Sequence, residues 1–277
     1  MAGARDKGFR FGIGLRSIRS AERLREKVRR FSDLGYDVVH FPDHLGAPAP
    51  FPAMVAAADA DRTIRVGTYV LNAAFYSPAL LTRDAADVDL LSDGRLELGL
   101  GTGYVREEFE AAGIPYPSAA DRVSHLGRTI EYLKNVIPDV PLMIAGNGDR
   151  VLTLAARHAD IIGLSGGSAG SRAPDPLADR VALVKASAAE RFEHLELNLA
   201  ITAVPTDDSG IPDLRLTRAY EPGKTDDELL TMPSVLSGSP RHVADTLLER
   251  RDRYGISYFT VQDYHGEYFA EVINALS

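Results

Sequence analysis

The sequence predicts an α/β fold, a (β/α)8 TIM barrel, and three observations carry that expectation. Strand-like and helix-like stretches alternate about eight times within 277 residues. The strands are apolar runs rather than alternating patterns, as expected of strands buried on both faces of a parallel sheet. Glycine-rich or polar turns recur after strands, and a barrel would gather all such turns on one face. An open doubly wound sheet would need a crossover splitting the chain. No low-complexity linker marks a second unit, so residues 1–277 are expected to form one domain.

In order, Phe9–Leu15 forms the first strand. Ser20 caps a helix carrying Leu24, Val28, Phe31 and Leu34 at helical spacing, and Gly35 ends it. Tyr36–Phe41 is the second strand, stopped by Pro42, and Pro52–Ala60 a short helix. Thr63–Leu71 is a β-branched third strand, and Pro78 opens a helix that ends near Gly94. Arg95–Gly101 is the fourth strand, running into Thr102-Gly103-Tyr104. A helix follows around Val123–Leu133. Val140–Ala145 and Ala159–Leu164 are the fifth and sixth strands, each entering a glycine-bearing turn. Leu195–Val204 is the seventh strand, with a polar loop from Pro205 to about Thr217. Helical patterns cover Asp226–Val235 and Ser239–Tyr254. Ser257–Gln262 is the eighth strand, and a last helix holds Tyr268, Phe269, Val272, Ile273 and Leu276.

Composition narrows the function. A net charge of −8 argues against nucleic acid as partner, yet leaves room for phosphate-bearing small molecules held by backbone N–H groups. The absence of Cys excludes disulfides, thiolate metal sites and Cys nucleophiles. No apolar run has the length of a membrane span and Met1–Arg10 lacks a signal-peptide pattern, so a cytoplasmic protein is expected. No His-x-His, His-Glu-x-x-His or carboxylate cluster offers a metal site. A Gly-x-Ser-x-Gly elbow is missing, and Gly99-Leu100-Gly101-Thr102-Gly103 is not a dinucleotide fingerprint.

Asp43-His44 remains, directly after the second strand. His exchanges a proton near neutral pH, and an adjacent carboxylate can hold its tautomer or accept a ligand N–H. His40 lies inside a strand, and His125, His242 and His265 show no partner pattern. Around Asp43-His44 a barrel would place Asn72, Gly101-Thr102-Gly103-Tyr104, Ala145-Gly146-Asn147-Gly148 and Ser165-Gly166-Gly167. That set supplies many backbone donors and no strong nucleophile. It suits an extended anionic cofactor that carries the chemistry itself.

The order of motifs resembles the luciferase-like monooxygenase family, especially its coenzyme F420-dependent oxidoreductase branch. The likeness rests on Arg65–Asn72, Ser77-Pro78-Ala79-Leu80-Leu81 and Asp87–Gly101, whose Val88-Asp89-Leu90-Leu91-Ser92-Asp93-Gly94-Arg95 is similar to a family signature. Glu107–Gly113 and Ser237-Gly238-Ser239-Pro240 look like further motifs. The resemblance implies the barrel, usually as a homodimer, and a non-proline cis peptide at Tyr69–Val70 against the cofactor ring. It implies Asp43 and His44 at the reactive side of the ring as catalytic pair, with His44 moving a proton and Asp43 and Asn72 fixing ring or substrate. Gly101, Thr102, Gly103 and Tyr104 would lie along ring and substrate. Ala145, Gly146, Asn147, Gly148, Leu164, Ser165, Gly166 and Gly167 would hold the ribityl-phosphate tail, and Arg106 and Arg172 are candidates for its acidic extension.

Two departures argue against the sugar-phosphate dehydrogenase activity of that branch: the chain has no Trp, and Tyr104 stands where those enzymes carry a catalytic Glu. The expected function is therefore F420-dependent hydride transfer with some small organic substrate. The rivals are an FMN- and oxygen-dependent monooxygenase and a barrel that binds flavin without turnover.

Overall fold

The computed structural model describes residues 8–166 and 173–277. Eight parallel strands close into a barrel: β1 (Arg10–Gly14), β2 (Val38–Phe41), β3 (Arg65–Thr68, resumed by Leu71–Asn72), β4 (Leu96–Gly101), β5 (Leu142–Ala145), β6 (Ile161–Leu164), β7 (Glu196–Ala200) and β8 (Ile256–Gln262). Each strand pairs with the next in sequence, and β1 pairs with β8, Ile13 lying opposite Val261. This is the barrel expected from the sequence.

The helices form because their apolar residues recur on one face. In Ala21–Asp33 the Ser20 hydroxyl accepts the Arg23 N–H at 3.2 Å, and Leu24, Val28 and Phe31 are buried. Outward residues of the strands join them in the main core, among them Ile13, Val39, Leu98, Ile144 and Phe259.

The barrel interior is different. It holds a small apolar cluster of Val38, Met143, Ile161 and Tyr258, and beside it a buried ionic network. Glu97 binds Arg10 at 2.5 Å and accepts the Tyr258 hydroxyl at 2.8 Å. Tyr258 also lies 3.1 Å from His40 Nε2, and Arg10 reaches Glu196 as well. Burial pushes the Glu97 carboxyl up, but His40 and Arg10 outweigh it and hold it down at about 2. Glu97 is thus an anion in the middle of the barrel, held by Arg10 and the Tyr258 hydroxyl with His40 beside it.

Four elements differ from the sequence expectation. The third strand breaks at Tyr69, because the Tyr69–Val70 peptide is cis and pairing resumes one step on, with Leu71 opposite Leu100. Part of the expected polar loop before Thr217 is a helix, Arg215–Tyr220. The helix expected over Asp226–Val235 covers only Asp226–Leu230, since Pro233 interrupts it. The seventh strand stops at Ala200, after which the Thr202 N–H bonds to Ser234 instead of a strand neighbour. No helix among the described residues is long and apolar enough to cross a membrane.

Just past β8, His265 is fully buried, and neither ring nitrogen has a hydrogen-bond partner among the described residues. Burial pushes its pKa down to about 4; Asp213 opposes this and Arg215 adds to it. The unfolded chain therefore takes up this proton first as pH falls. About 2–3 kcal/mol of stability is lost between roughly pH 6.5 and 4.5. The thermal midpoint should fall more steeply over that range in the wild type than in His265→Leu, and equal slopes would contradict this account.

Candidate functional site

All strand C-termini open into one cavity of about 930 Å³. Fifteen of the seventeen residues expected at the site line its wall.

After β2 come Asp43 and His44, both lining the cavity. His44 Nδ1 lies 2.9 Å from Glu108 Oε1, and its ring meets Tyr104 edge-on at 6.4 Å. Glu108 belongs to the short helix Arg106–Ala111, which follows the β4 turn. Of the two roles open to a carboxylate beside His44, the contact to its ring is made by Glu108 and not by Asp43. Its carboxylate turns away and accepts the Asn72 N–H at 3.0 Å, and Tyr76 donates to it as well. Burial raises the Asp43 pKa, and those two donors pull it back in part.

After β3, Tyr69, Val70 and Asn72 line the cavity. The Tyr69 hydroxyl donates to Asn198 at 2.7 Å, and its ring stacks on His40 at 5.3 Å. His40 therefore forms part of the floor, a role its place within a strand did not suggest. Gly101, Thr102, Gly103 and Tyr104 follow β4 on the wall. Gly103 has φ +69, and a Cβ there would lie 2.1 Å from Asn72 Oδ1.

On the far side Ala145, Gly146, Asn147 and Gly148 line the wall after β5, with Leu164 and Ser165 after β6. Asn147 donates to the Ser165 hydroxyl at 2.5 Å. The helix Asp149–His158 starts here without a side-chain cap, so its first N–H groups are open to a ligand. Arg180 binds Asp149 at 2.5 Å and so neutralises the one carboxylate beside them.

Gly166 is absent from the cavity wall. It packs behind it, where a Cβ would come 2.8 Å from the Ser234 amide nitrogen. The neighbouring loop and a φ of +64 already call for a glycine here. Gly167 and Arg172 lie outside the described residues. Arg106 covers the Tyr116 ring at 4.3 Å instead of serving the cavity.

Sequence reasoning missed Glu108, Arg16, Arg122, Arg150, Tyr220 and the hydroxyls of Thr202, Thr217 and Ser234, all on the wall. The hydroxyls bond one another, Thr202 to Thr217 at 2.8 Å and to Ser234 at 3.1 Å. Only Glu108 carried a signal, a glutamate shortly after the β4 turn, and nothing in the spacing tied it to His44.

Fold and site together give a barrel whose cavity has an uncapped helix start at one side and a histidine–carboxylate pair at another. Comparison with known proteins makes this more specific. Residues 8–137 match the model of the luciferase-like monooxygenase family, and the resemblance read from the sequence holds over that stretch. An F420-dependent glucose-6-phosphate dehydrogenase of Kribbella flavida is 34% identical over 122 residues, which are 41% of this chain and 36% of that one. A 5,10-methylenetetrahydromethanopterin reductase of Archaeoglobus fulgidus is 25% identical over 172 residues, 55% of this chain and 52% of that one. The match thus spans between about a third and a half of these relatives. The solved structure of an F420-dependent secondary alcohol dehydrogenase with an F420–acetone adduct superimposes with a TM-score of 0.78 at 17% identity, covering 98% of this chain and 99% of that one. It shares the fold.

Replacing Asp43 by Ala strands the buried Asn72 N–H and the Tyr76 hydroxyl, at a cost of about 1–3 kcal/mol. Thermal unfolding should register that loss, and an unchanged midpoint would mean that Asp43 does not brace this loop.

Proposed function

We propose that this protein is an F420-dependent oxidoreductase acting on a small organic substrate. The observation that carries it is the His44–Glu108 pair at 2.9 Å across the cavity from the uncapped helix start at Gly148. The F420-dependence named for the glucose-6-phosphate dehydrogenase relative supports the choice of cofactor.

The residues present fit such a group. Val70 lies over the β4 glycines: a Cβ on Gly101 would stand 2.9 Å from Val70 Cγ2, in the space beside the cavity wall. The wall there is flat backbone, suited to a planar ring. The open N–H groups of the helix Asp149–His158, with Ser165 and Arg150, suit a phosphate. When bound, the deazaflavin supplies two-electron hydride chemistry with the substrate.

The chain's own part is proton handling and placement. Glu108 accepts from His44 Nδ1–H, which fixes the tautomer and leaves Nε2 as the atom that gives or takes the substrate's proton. Tyr69, tied to Asn198, and Asn72, tied to Asp43, hold the loop between His44 and the glycines. Asp43 is a positioning residue in this reading, not the partner of the histidine.

Spectral titration with F420 and with FMN tests the cofactor. Saturable binding of F420 is expected, and preference for FMN would overturn the choice. Gly101→Ala should weaken F420 binding by about ten-fold or more, because the new methyl drives Val70 toward the cavity. His44→Ala should lower turnover by about 10²–10⁴-fold and Glu108→Ala by less, both with F420 affinity nearly unchanged. A barrel that only binds its cofactor would show no turnover for these variants to lose.

A further inference from the structure

The cavity has two cationic ends. Arg150 follows β5, whereas Arg16 follows β1. In a ring of eight consecutive strands these two lie four places apart, on opposite sides of the mouth. Arg150 stands with the glycine turns and the open helix start. Arg16 stands with His44, and no phosphate held at the β5 and β6 turns is placed to neutralise it.

Arg16 is exposed on the wall and forms no ion pair among the described residues. Its nearest polar contact is the Tyr220 hydroxyl, at a long 3.4 Å. The carboxylates on that part of the wall are Asp43, which accepts the Asn72 N–H, Glu108, engaged by His44, and Glu221; Arg16 pairs with none of them. Two tyrosines flank it. Tyr104 is 63% exposed and Tyr220 47%, so both rings present open faces on the cavity wall. Tyr104 meets the His44 ring that Glu108 engages, and Arg16 contacts Tyr220, all on the same cavity wall.

Resting on the functional reading above, we propose that the substrate end takes a planar aromatic acid, its ring against Tyr104 and Tyr220 and its carboxylate on Arg16, beside His44. Open tyrosine faces reward a flat π-system over a saturated ring. A guanidinium without a partner rewards a carboxylate, through paired N–H donors. The hydroxyls of Thr202, Thr217 and Ser234 on the wall already bond one another, whereas the faces of Tyr104 and Tyr220 are open.

Calorimetric titration tests this with three probes: 2-naphthoate, 2-naphthalenemethanol, which lacks the charge, and cyclohexanecarboxylate, which lacks the ring. Each is titrated into protein with and without F420. The naphthoate should bind at least about ten-fold more tightly than either control. Arg16→Gln should erase its advantage over the alcohol, and Tyr104→Leu its advantage over the saturated acid. Both side chains are exposed, and thermal midpoints near the wild-type value would show that the variants fold. Equal binding of the three probes, or an advantage that survives Arg16→Gln, overturns the proposal. If F420 binds while the probes bind alike, this inference fails and the functional reading stands. If F420 does not bind while the naphthoate still depends on Arg16, the reverse holds.

Discussion

The hydrogen bond from the Asn72 N–H to the Asp43 carboxylate holds the site together, because it joins three loops at once. Asp43 follows β2, Asn72 ends the resumed part of β3, and the Asn72 side chain rests against Gly103 after β4. The same side chain accepts the Ala74 N–H at 3.1 Å and so turns the chain away from the strand. His44 is one residue from this junction and Glu108 five residues beyond Gly103. Their meeting therefore depends on a contact that neither makes. A carboxylate suits the junction because it accepts two donors, the Asn72 amide and the Tyr76 hydroxyl, from a largely buried position.

The floor beneath is set by the opposite strategy. A barrel interior is commonly filled by branched apolar residues. Here β2, β4 and β8 place His40, Glu97 and Tyr258 there, closed off by Arg10 below, whose guanidinium also lies over the Tyr258 ring at 4.4 Å. Such a network is costly to bury, and it tolerates one arrangement only. That arrangement fixes the imidazole of His40, on which Tyr69 stacks. Burial of charge thus serves geometry: the floor under the cis Tyr69–Val70 segment cannot slide without unpairing Glu97.

The barrel was legible because its signals are local. Apolar runs, caps such as Ser20 and stops such as Gly35 each act within a few residues of themselves. The gathering of turns at one end follows from the topology alone, and it placed Asn72, Thr102 and Asn147 on the right wall. What escaped was everything decided by distant side chains. Asp43 and His44 are adjacent in sequence, yet their partners come from different strands' loops, 29 and 64 residues away. Glu97 read as one polar residue in an apolar strand, though a carboxylate between two leucines in a buried run is itself a sign of a buried partner. Gly166 looked like its neighbours, but a glycine that admits a ligand and one that admits a loop have the same sequence signature. The wall from Arg215–Tyr220 lay in a segment whose polarity hid a short helix.

These constraints divide the cavity into parts with different freedom. The β2, β3 and β4 loops are locked by Asp43, Asn72 and Gly103, and the β5 turn by Arg180, which also reaches the Asn147 carbonyl at 3.2 Å. The remaining wall is looser. Arg16 hangs on a single long contact, Tyr104 and Tyr220 expose much of their rings, and the hydroxyls of Thr202, Thr217 and Ser234 bond mainly among themselves. A rigid part suits a ligand that is always the same, since any slack there would be lost affinity. A part built from exposed side chains can change its residues without disturbing the barrel or the histidine. The side chains that the proposed substrate would meet, Arg16, Tyr104 and Tyr220, are thus the ones that the fold constrains least.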